Sequence, residues 1–140
     1  MGKMKYIITI KDTHIIGDEK ESSELMITGG LSFFDGGYKI RYKETGEGYE
    51  GCFITLKCEN GKKVTMTRLG SFSTQMIMEL DKRHICCYST PMGEMSLGVY
   101  ASKVESDVTP EGGTLKMVYS LDIEGSYMSE NFLDITLKRL

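Results

Sequence analysis

The sequence lacks the features that would identify a membrane protein, a zinc protein or a nucleic-acid-binding protein. Its apolar runs, such as Met76-Ile77-Met78, fall far short of the ~20 residues that a membrane helix needs. It has only 2 histidines and no Cys-x-x-Cys pair, so no metal site is predicted. The 17 basic residues stand against 20 acidic ones, and the net charge of −3 leaves no electrostatic footprint for nucleic acid.

Catalytic motifs are also missing. The glycines of residues 46–51 precede a predicted strand, whereas a phosphate-binding loop requires a helix start. His84 and Cys86 share a predicted strand face, but Cys86 and Cys87 point to opposite sides, which disfavours a shared thiol site. The sequence therefore predicts neither an enzyme nor a cofactor.

The length and composition favour one globular domain over residues 1–140. The chain is 40% hydrophobic and 26% charged, values that exclude disorder and a coiled coil. Residues 1–6 do not enter an apolar core, so they do not resemble a secretory signal. The cysteines are therefore expected to be reduced thiols in a cytoplasm, namely Cys52, Cys58, Cys86 and Cys87.

The most informative pattern is an alternation of apolar and polar residues in short segments separated by glycine-containing turns. Tyr6, Ile8 and Ile10 alternate with polar residues, and later segments repeat the pattern. It predicts about eight to ten antiparallel strands that bury their apolar faces together in a barrel or a sandwich. Short loops favour an up-and-down barrel.

The hairpin around Asn60-Gly61 allows a prediction of register. A three-residue loop over residues 59–61, with its glycine in the left-handed conformation, would set Leu56 opposite Val64 and Ile54 opposite Met66. This arrangement keeps the apolar residues of both strands on one face.

Three predictions concern the second half of the chain. Residues 71–81 are predicted as a strand, with a short helix as the alternative, because an i, i+4 apolar stripe also fits. The next strand is predicted to bury Ile85, Cys87 and Ser89. The last hairpin is predicted to set Tyr119 opposite Asn131.

Several segments together resemble the YwiB-like family of small bacterial proteins of unknown function. They are Glu44-Thr45-Gly46 to Gly51, Arg68-Leu69-Gly70, Tyr88-Ser89-Thr90-Pro91-Met92-Gly93, Gly112-Gly113-Thr114-Leu115 and Tyr119-Ser120-Leu121. The resemblance covers nearly the whole chain and is most specific from about Tyr42 onward. It implies a calycin-like, that is lipocalin-like, closed barrel in the bacterial cytoplasm, and it implies no activity. Lipocalins and fatty-acid-binding proteins hold apolar ligands, which is an analogy of fold alone.

Arg68 is the most informative single residue because it continues the inward face of Val64 and Met66. A buried guanidinium needs an anionic or strongly accepting neighbour. Glu44 extends the inward face that contains Tyr42, so an internal ion pair is one hypothesis. A socket for the carboxylate or phosphate of a ligand is the second, and an Arg68 turned outward at a bulge is the third.

Ten methionines are many for this length, and several fall on predicted inner faces. They could fill a packed core or line an adaptable apolar cavity, since a barrel of about eight strands does either. The candidate ligand-binding residues are Arg68, Tyr42, Glu44, Met66, Met76, Met95, Met117, Tyr119 and Asn131. His14 is predicted to be a surface residue near a turn, and Lys39, Arg41 and Lys43 a solvated basic stripe.

Two functional hypotheses follow. In the first, the barrel binds a small apolar or amphipathic anion, with Arg68 holding the head and methionines lining the tail. In the second, the interior is packed and the outer surface mediates protein interactions, with a homodimer as one form. Neither hypothesis involves nucleic acid, a membrane or a metal.

Overall fold

The chain folds into ten antiparallel β-strands. The computed structural model describes residues 5–44, 50–70 and 73–140. The strands are β1 (Lys5–Ile16), β2 (Glu19–Phe34), β3 (Gly37–Lys43), β4 (Phe53–Glu59), β5 (Lys63–Leu69), β6 (Thr74–Glu79), β7 (Arg83–Thr90), β8 (Gly93–Thr109), β9 (Gly112–Ile123) and β10 (Ser126–Arg139). They pair in the order β6-β5-β4-β3-β2-β1-β10-β9-β8-β7, which confirms the predicted all-β, up-and-down barrel. No helix in the described part of the chain is long and apolar enough to cross a membrane.

The two edge strands of the sheet, β6 and β7, meet in what we call the β6–β7 seam. Side chains join the two strands there. Thr74 Oγ1 donates a hydrogen bond to Cys87 O at 2.8 Å and accepts one from Ser89 N at 3.0 Å. Ile77 N donates to Cys86 Sγ at 3.4 Å. The barrel is therefore nearly closed, with one side joined by side chains where the other strands have backbone ladders.

One end of the barrel, which we call the closed end, is sealed by two buried tyrosines. Tyr6 Oη donates a hydrogen bond to Pro110 O at 2.6 Å. Tyr38 Oη lies 2.6 Å from Ser106 Oγ, so this contact joins β3 to β8. Burial raises the pKa of the Tyr38 phenol well above its usual range. Both hydroxyl groups thus have the partner that a buried phenol requires.

The β4–β5 hairpin has the predicted faces but a different register. Leu56 pairs with Met66, so the predicted pairing of Leu56 with Val64 is wrong by two residues of β5. Asn60 and Gly61 both have positive φ values, 53° and 67°. Glu59 still pairs with Lys63, so the loop begins at Asn60, one residue later than predicted. Each residue of β4 therefore pairs two residues further along β5 than predicted. Inward residues still face inward because the shift is an even number of residues.

The predicted strand over residues 71–81 is confirmed where it is described, since residues 74–79 form β6. Residues 71–72 lie outside the described residues. The predicted burial of Ile85, Cys87 and Ser89 on β7 is wrong, because Ile85 is 65% exposed while Cys86 is buried. Cys86 pairs with the buried Leu97 of β8, and this pairing determines which face of β7 turns inward.

Candidate functional site

The interior holds a cavity of about 430 Å³ at the end of the barrel opposite the closed end. Its apolar wall comprises Ile10, Ile54, Leu56, Met66, Met76, Met78, Met95, Leu97, Leu121, Met128, Leu133 and Ile135. Polar side chains complete the wall, and most of them lie near the ends of their strands. The volume exceeds the ~300 Å³ at which ligand pockets begin.

Five polar residues define what we call the polar end of the cavity: Asp12, His14, Glu44, Arg68 and Asn131. They come from four different parts of the barrel. Asp12 and His14 lie on β1, Glu44 follows β3, Arg68 lies on β5 and Asn131 lies on β10. Each continues the inward-facing alternation of its strand past the last apolar residue of the core.

Arg68 is buried in this end of the barrel, with 6% of its surface exposed. Its Nη2 lies 3.4 Å from Glu44 Oε2, and its guanidinium carbon lies 5.5 Å from the centre of the Tyr88 ring. The predicted internal ion pair is present, and the alternative of an outward-turned Arg68 is wrong. The Nη2–Oε2 distance exceeds the ~2.7–2.9 Å of a strong charge-assisted hydrogen bond.

His14 is exposed over 42% of its side chain, in agreement with its prediction as a surface residue near a turn, but it also bridges two other side chains of the polar end. Its Nε2 lies 3.2 Å from Asp12 Oδ2, and its Nδ1 contacts Asn131 Oδ1. Asn131 Nδ2 donates to Tyr119 O at 3.3 Å and to Ser129 Oγ at 3.1 Å. These two bonds fix the amide so that its oxygen faces His14, whose Nδ1 must then donate.

Asp12 has one carboxylate oxygen whose hydrogen bonding is incomplete among the described residues. Its Oδ1 is buried and has no hydrogen-bond partner among residues 5–44, 50–70 and 73–140. Burial raises the pKa of the Asp12 carboxyl, and the neighbouring His14 opposes this rise. A buried polar atom without a partner costs about 1–3 kcal/mol, so a donor at this position would be stabilising.

Two tyrosines in the wall keep their protons. Burial raises the pKa of both Tyr42 and Tyr119 well above the usual range of a phenol. The charge of Glu44 raises the pKa of Tyr42 further, and the charge of Asp12 adds to the rise at both tyrosines. Both hydroxyl groups are therefore neutral hydrogen-bonding groups.

The structure brings eight of the nine predicted ligand-binding residues to the cavity wall, namely Arg68, Tyr42, Glu44, Met66, Met76, Met95, Tyr119 and Asn131. Met117 is placed elsewhere. It is 1% exposed and pairs with Val104 and Leu133, so it belongs to the packed core.

The predicted position of Tyr119 opposite Asn131 is confirmed. At the turn of this hairpin Ser126 pairs with Ile123, and the register then shifts between Tyr127 and Ser129. That bulge restores the predicted pairing in the part of the hairpin that reaches the cavity.

Among the polar residues of the wall, sequence reasoning missed three: Asp12, His14 and Tyr88. Asp12 and His14 continue the alternation of Ile8 and Ile10, so the signal was present in the pattern. Tyr88 was missed because the inward face of β7 was assigned to the wrong set of residues.

Two comparisons with known proteins find similarities. A family model described as "Domain of unknown function (DUF1934)" matches residues 8–135. The crystal structure of the YwiB protein from Bacillus subtilis superimposes with a TM-score of 0.87 at 18% sequence identity, covering 98% of this chain and 92% of that chain. At this identity the structural likeness concerns the fold alone. No curated protein matches the sequence.

Proposed function

The chain belongs to the DUF1934 family, a domain of unknown function, and from the cavity itself we propose that the barrel binds a small amphipathic anion. The predicted resemblance to the YwiB-like family is confirmed. The proposal assigns the head of the ligand to Arg68 and its apolar body to the methionine-rich wall. One observation carries it, namely a cavity of about 430 Å³ with a buried arginine at one end.

The apolar wall supports the first half of the proposal. Met66, Met76, Met78 and Met128 contribute to a wall that is otherwise aliphatic over most of its area. Methionine side chains are unbranched and flexible, so they adapt to chains of different shape. Met95 also lines the cavity and is 41% exposed, which supports access of a ligand beside it.

The polar end supports the second half. Arg68 is the one lysine or arginine side chain on the described cavity wall. Glu44 Oε2 lies 3.4 Å from its Nη2, so the guanidinium already faces a carboxylate at this end of the cavity. A ligand carboxylate that binds the guanidinium in a bidentate manner would take the place of Glu44 as the principal partner.

The rival hypothesis requires a packed interior and an outer surface that binds a partner protein. The cavity argues against a fully packed interior. We also propose a cytoplasmic location and a calycin-like relationship. The location is supported by the absence of disulfides among Cys52, Cys58, Cys86 and Cys87.

Native mass spectrometry of protein purified from its own host, followed by lipid extraction, tests the proposal. We expect one co-purifying small anion per chain, lost in Arg68→Met. Arg83→Met is the matched control, because Arg83 pairs with Asp122 at 2.6 Å outside the cavity. Retention of the same ligand by Arg68→Met, or absence of any ligand from the wild type, would contradict the proposal.

A further inference from the structure

We propose that Asp12 forms a second polar subsite and that the ligand is a hydroxylated amphipathic acid, with a hydroxyl group close to its carboxylate. This inference rests on the proposed function and narrows it. Arg68 would bind the carboxylate, while Asp12 would accept a hydrogen bond from the hydroxyl group.

The first argument is the unused hydrogen-bonding capacity of Asp12. An ionised carboxylate has about four acceptor positions on its two oxygens. His14 Nε2 meets Oδ2 at 3.2 Å, while Oδ1 has no partner in the described ranges 5–44, 50–70 and 73–140. The Asp12 side chain is 28% exposed and lines the cavity, so it borders the space that a ligand would occupy.

The second argument is that none of its described neighbours donates a hydrogen bond to Oδ1. Both ring nitrogens of His14 are engaged, one by Asp12 and the other by Asn131. Asn131 Nδ2 is committed to Tyr119 O and Ser129 Oγ. Directly opposite Asp12 are Leu133 on β10, whose side chain has no donor, and Ser23 on β2, whose hydroxyl group does not bond Oδ1. A donor that enters with the ligand fills this place.

The third argument concerns the placement of Asp12 and Arg68 in the cavity and the charge of the ligand group that donates to Asp12. Asp12 and Arg68 line the same cavity, near the ends of β1 and β5 that define its polar end. In the proposed complex, the carboxylate of the ligand contacts Arg68 and its hydroxyl group contacts Asp12 at this end. A neutral hydroxyl suits Asp12 better than an ammonium group, because entry into a buried site would strip an ammonium of its hydration.

Three probes of one chain length test the inference on the wild-type protein: decanoate, β-hydroxydecanoate and β-methoxydecanoate. Titration calorimetry should show β-hydroxydecanoate binding about three- to tenfold tighter than decanoate, the effect of one hydrogen bond. The methoxy compound keeps the oxygen but has no donor, so it should lose this preference.

The same titrations on two variants test whether the preference for the hydroxyl group depends on Asp12. Asp12→Ala should bind decanoate and β-hydroxydecanoate equally well. Asp134→Ala is the matched control, since Asp134 lies on β10 between Lys11 and Lys116, away from the cavity, and it should keep the preference. If Asp12→Ala does not fold, the methoxy comparison on the wild type decides alone.

The outcomes separate this inference from the proposed function. Binding of decanoate without any preference for the hydroxyl, or a preference that survives in Asp12→Ala, overturns the inference and leaves the proposed function intact. A preference for the methoxy compound equal to that for the hydroxyl also overturns it. Failure of all three probes to bind overturns the inference together with the amphipathic-acid form of the proposed function.

Discussion

The two ends of the barrel use buried polar groups differently. At the closed end, Tyr6 and Tyr38 each have an internal partner at 2.6 Å. At the polar end, the Arg68–Glu44 contact is 3.4 Å long and Asp12 Oδ1 lacks a partner among the described residues. Complete hydrogen bonds stabilise a fold, whereas a buried acceptor such as Asp12 Oδ1, which has no partner among the described residues, leaves capacity for a ligand. The closed end should thus affect stability, and the polar end should affect binding.

The largest effect is expected at the closed end. Tyr6→Ala should lower the free energy of unfolding by about 3–5 kcal/mol, because Tyr6 is 2% exposed and its removal leaves a large cavity. Urea denaturation followed by circular dichroism measures the change. Tyr127→Ala is the control, since Tyr127 is 62% exposed, and it should change stability by at most ~0.5 kcal/mol. Equal effects of the two substitutions would contradict the assignment of the closed end.

The next effect is expected at the polar end. Arg68→Met should weaken decanoate binding by about 1.5–3 kcal/mol, the value of a hydrogen bond to a charged group. Calorimetric titration measures it, with Arg83→Met as the control that should bind as the wild type does. Unchanged affinity for decanoate in Arg68→Met would show that the guanidinium does not bind the carboxylate of the ligand.

A smaller effect of opposite sign is expected at Glu44. Glu44→Gln removes the negative charge that competes for Arg68, so decanoate affinity should rise several-fold, by about 1 kcal/mol. The same titration measures it. Weaker binding in Glu44→Gln would mean that the head of the ligand is a donor or a cation that contacts Glu44.

The smallest effect is a pH dependence at Asp12. Burial raises the pKa of Asp12 above its ordinary value of 3.8, so the folded protein holds this proton more tightly than the unfolded chain does. The resulting stabilisation is fully present below the ordinary pKa and is lost as the pH rises through the raised folded pKa. The free energy of unfolding of the wild type minus that of Asp12→Asn should therefore fall with rising pH, and a rise would refute the assignment.

Much of the barrel could be predicted from the sequence because inward and outward residues alternate without interruption along most strands. Arg68 and Glu44 were found by extending that alternation past the last apolar residue. Asp12 and His14 obey the same rule, but a polar residue on an inward face cannot be distinguished by pattern alone from the start of a turn. The polar end was thus predicted in part.

The remaining errors have physical reasons of their own. Residues 85–88 are apolar or weakly polar on both faces, so alternation cannot assign the inward side of β7, and the pairing with β8 decides it. Met117 faces inward as predicted, but its height in the barrel depends on the stagger of β8, β9 and β10. The cavity volume likewise depends on how ten strands close and not on any single strand.

The methionines provide the most direct test of the claim that the cavity binds an amphipathic acid. In protein with labelled methionine methyl groups, decanoate should shift the NMR signals of residues that line the cavity: Met66, Met76, Met78, Met95 and Met128. The exposed Met26 and Met92 and the core residue Met117 serve as internal controls, and their signals should stay in place. Shifts confined to Met26 and Met92, or no shift at saturating decanoate, would contradict the account.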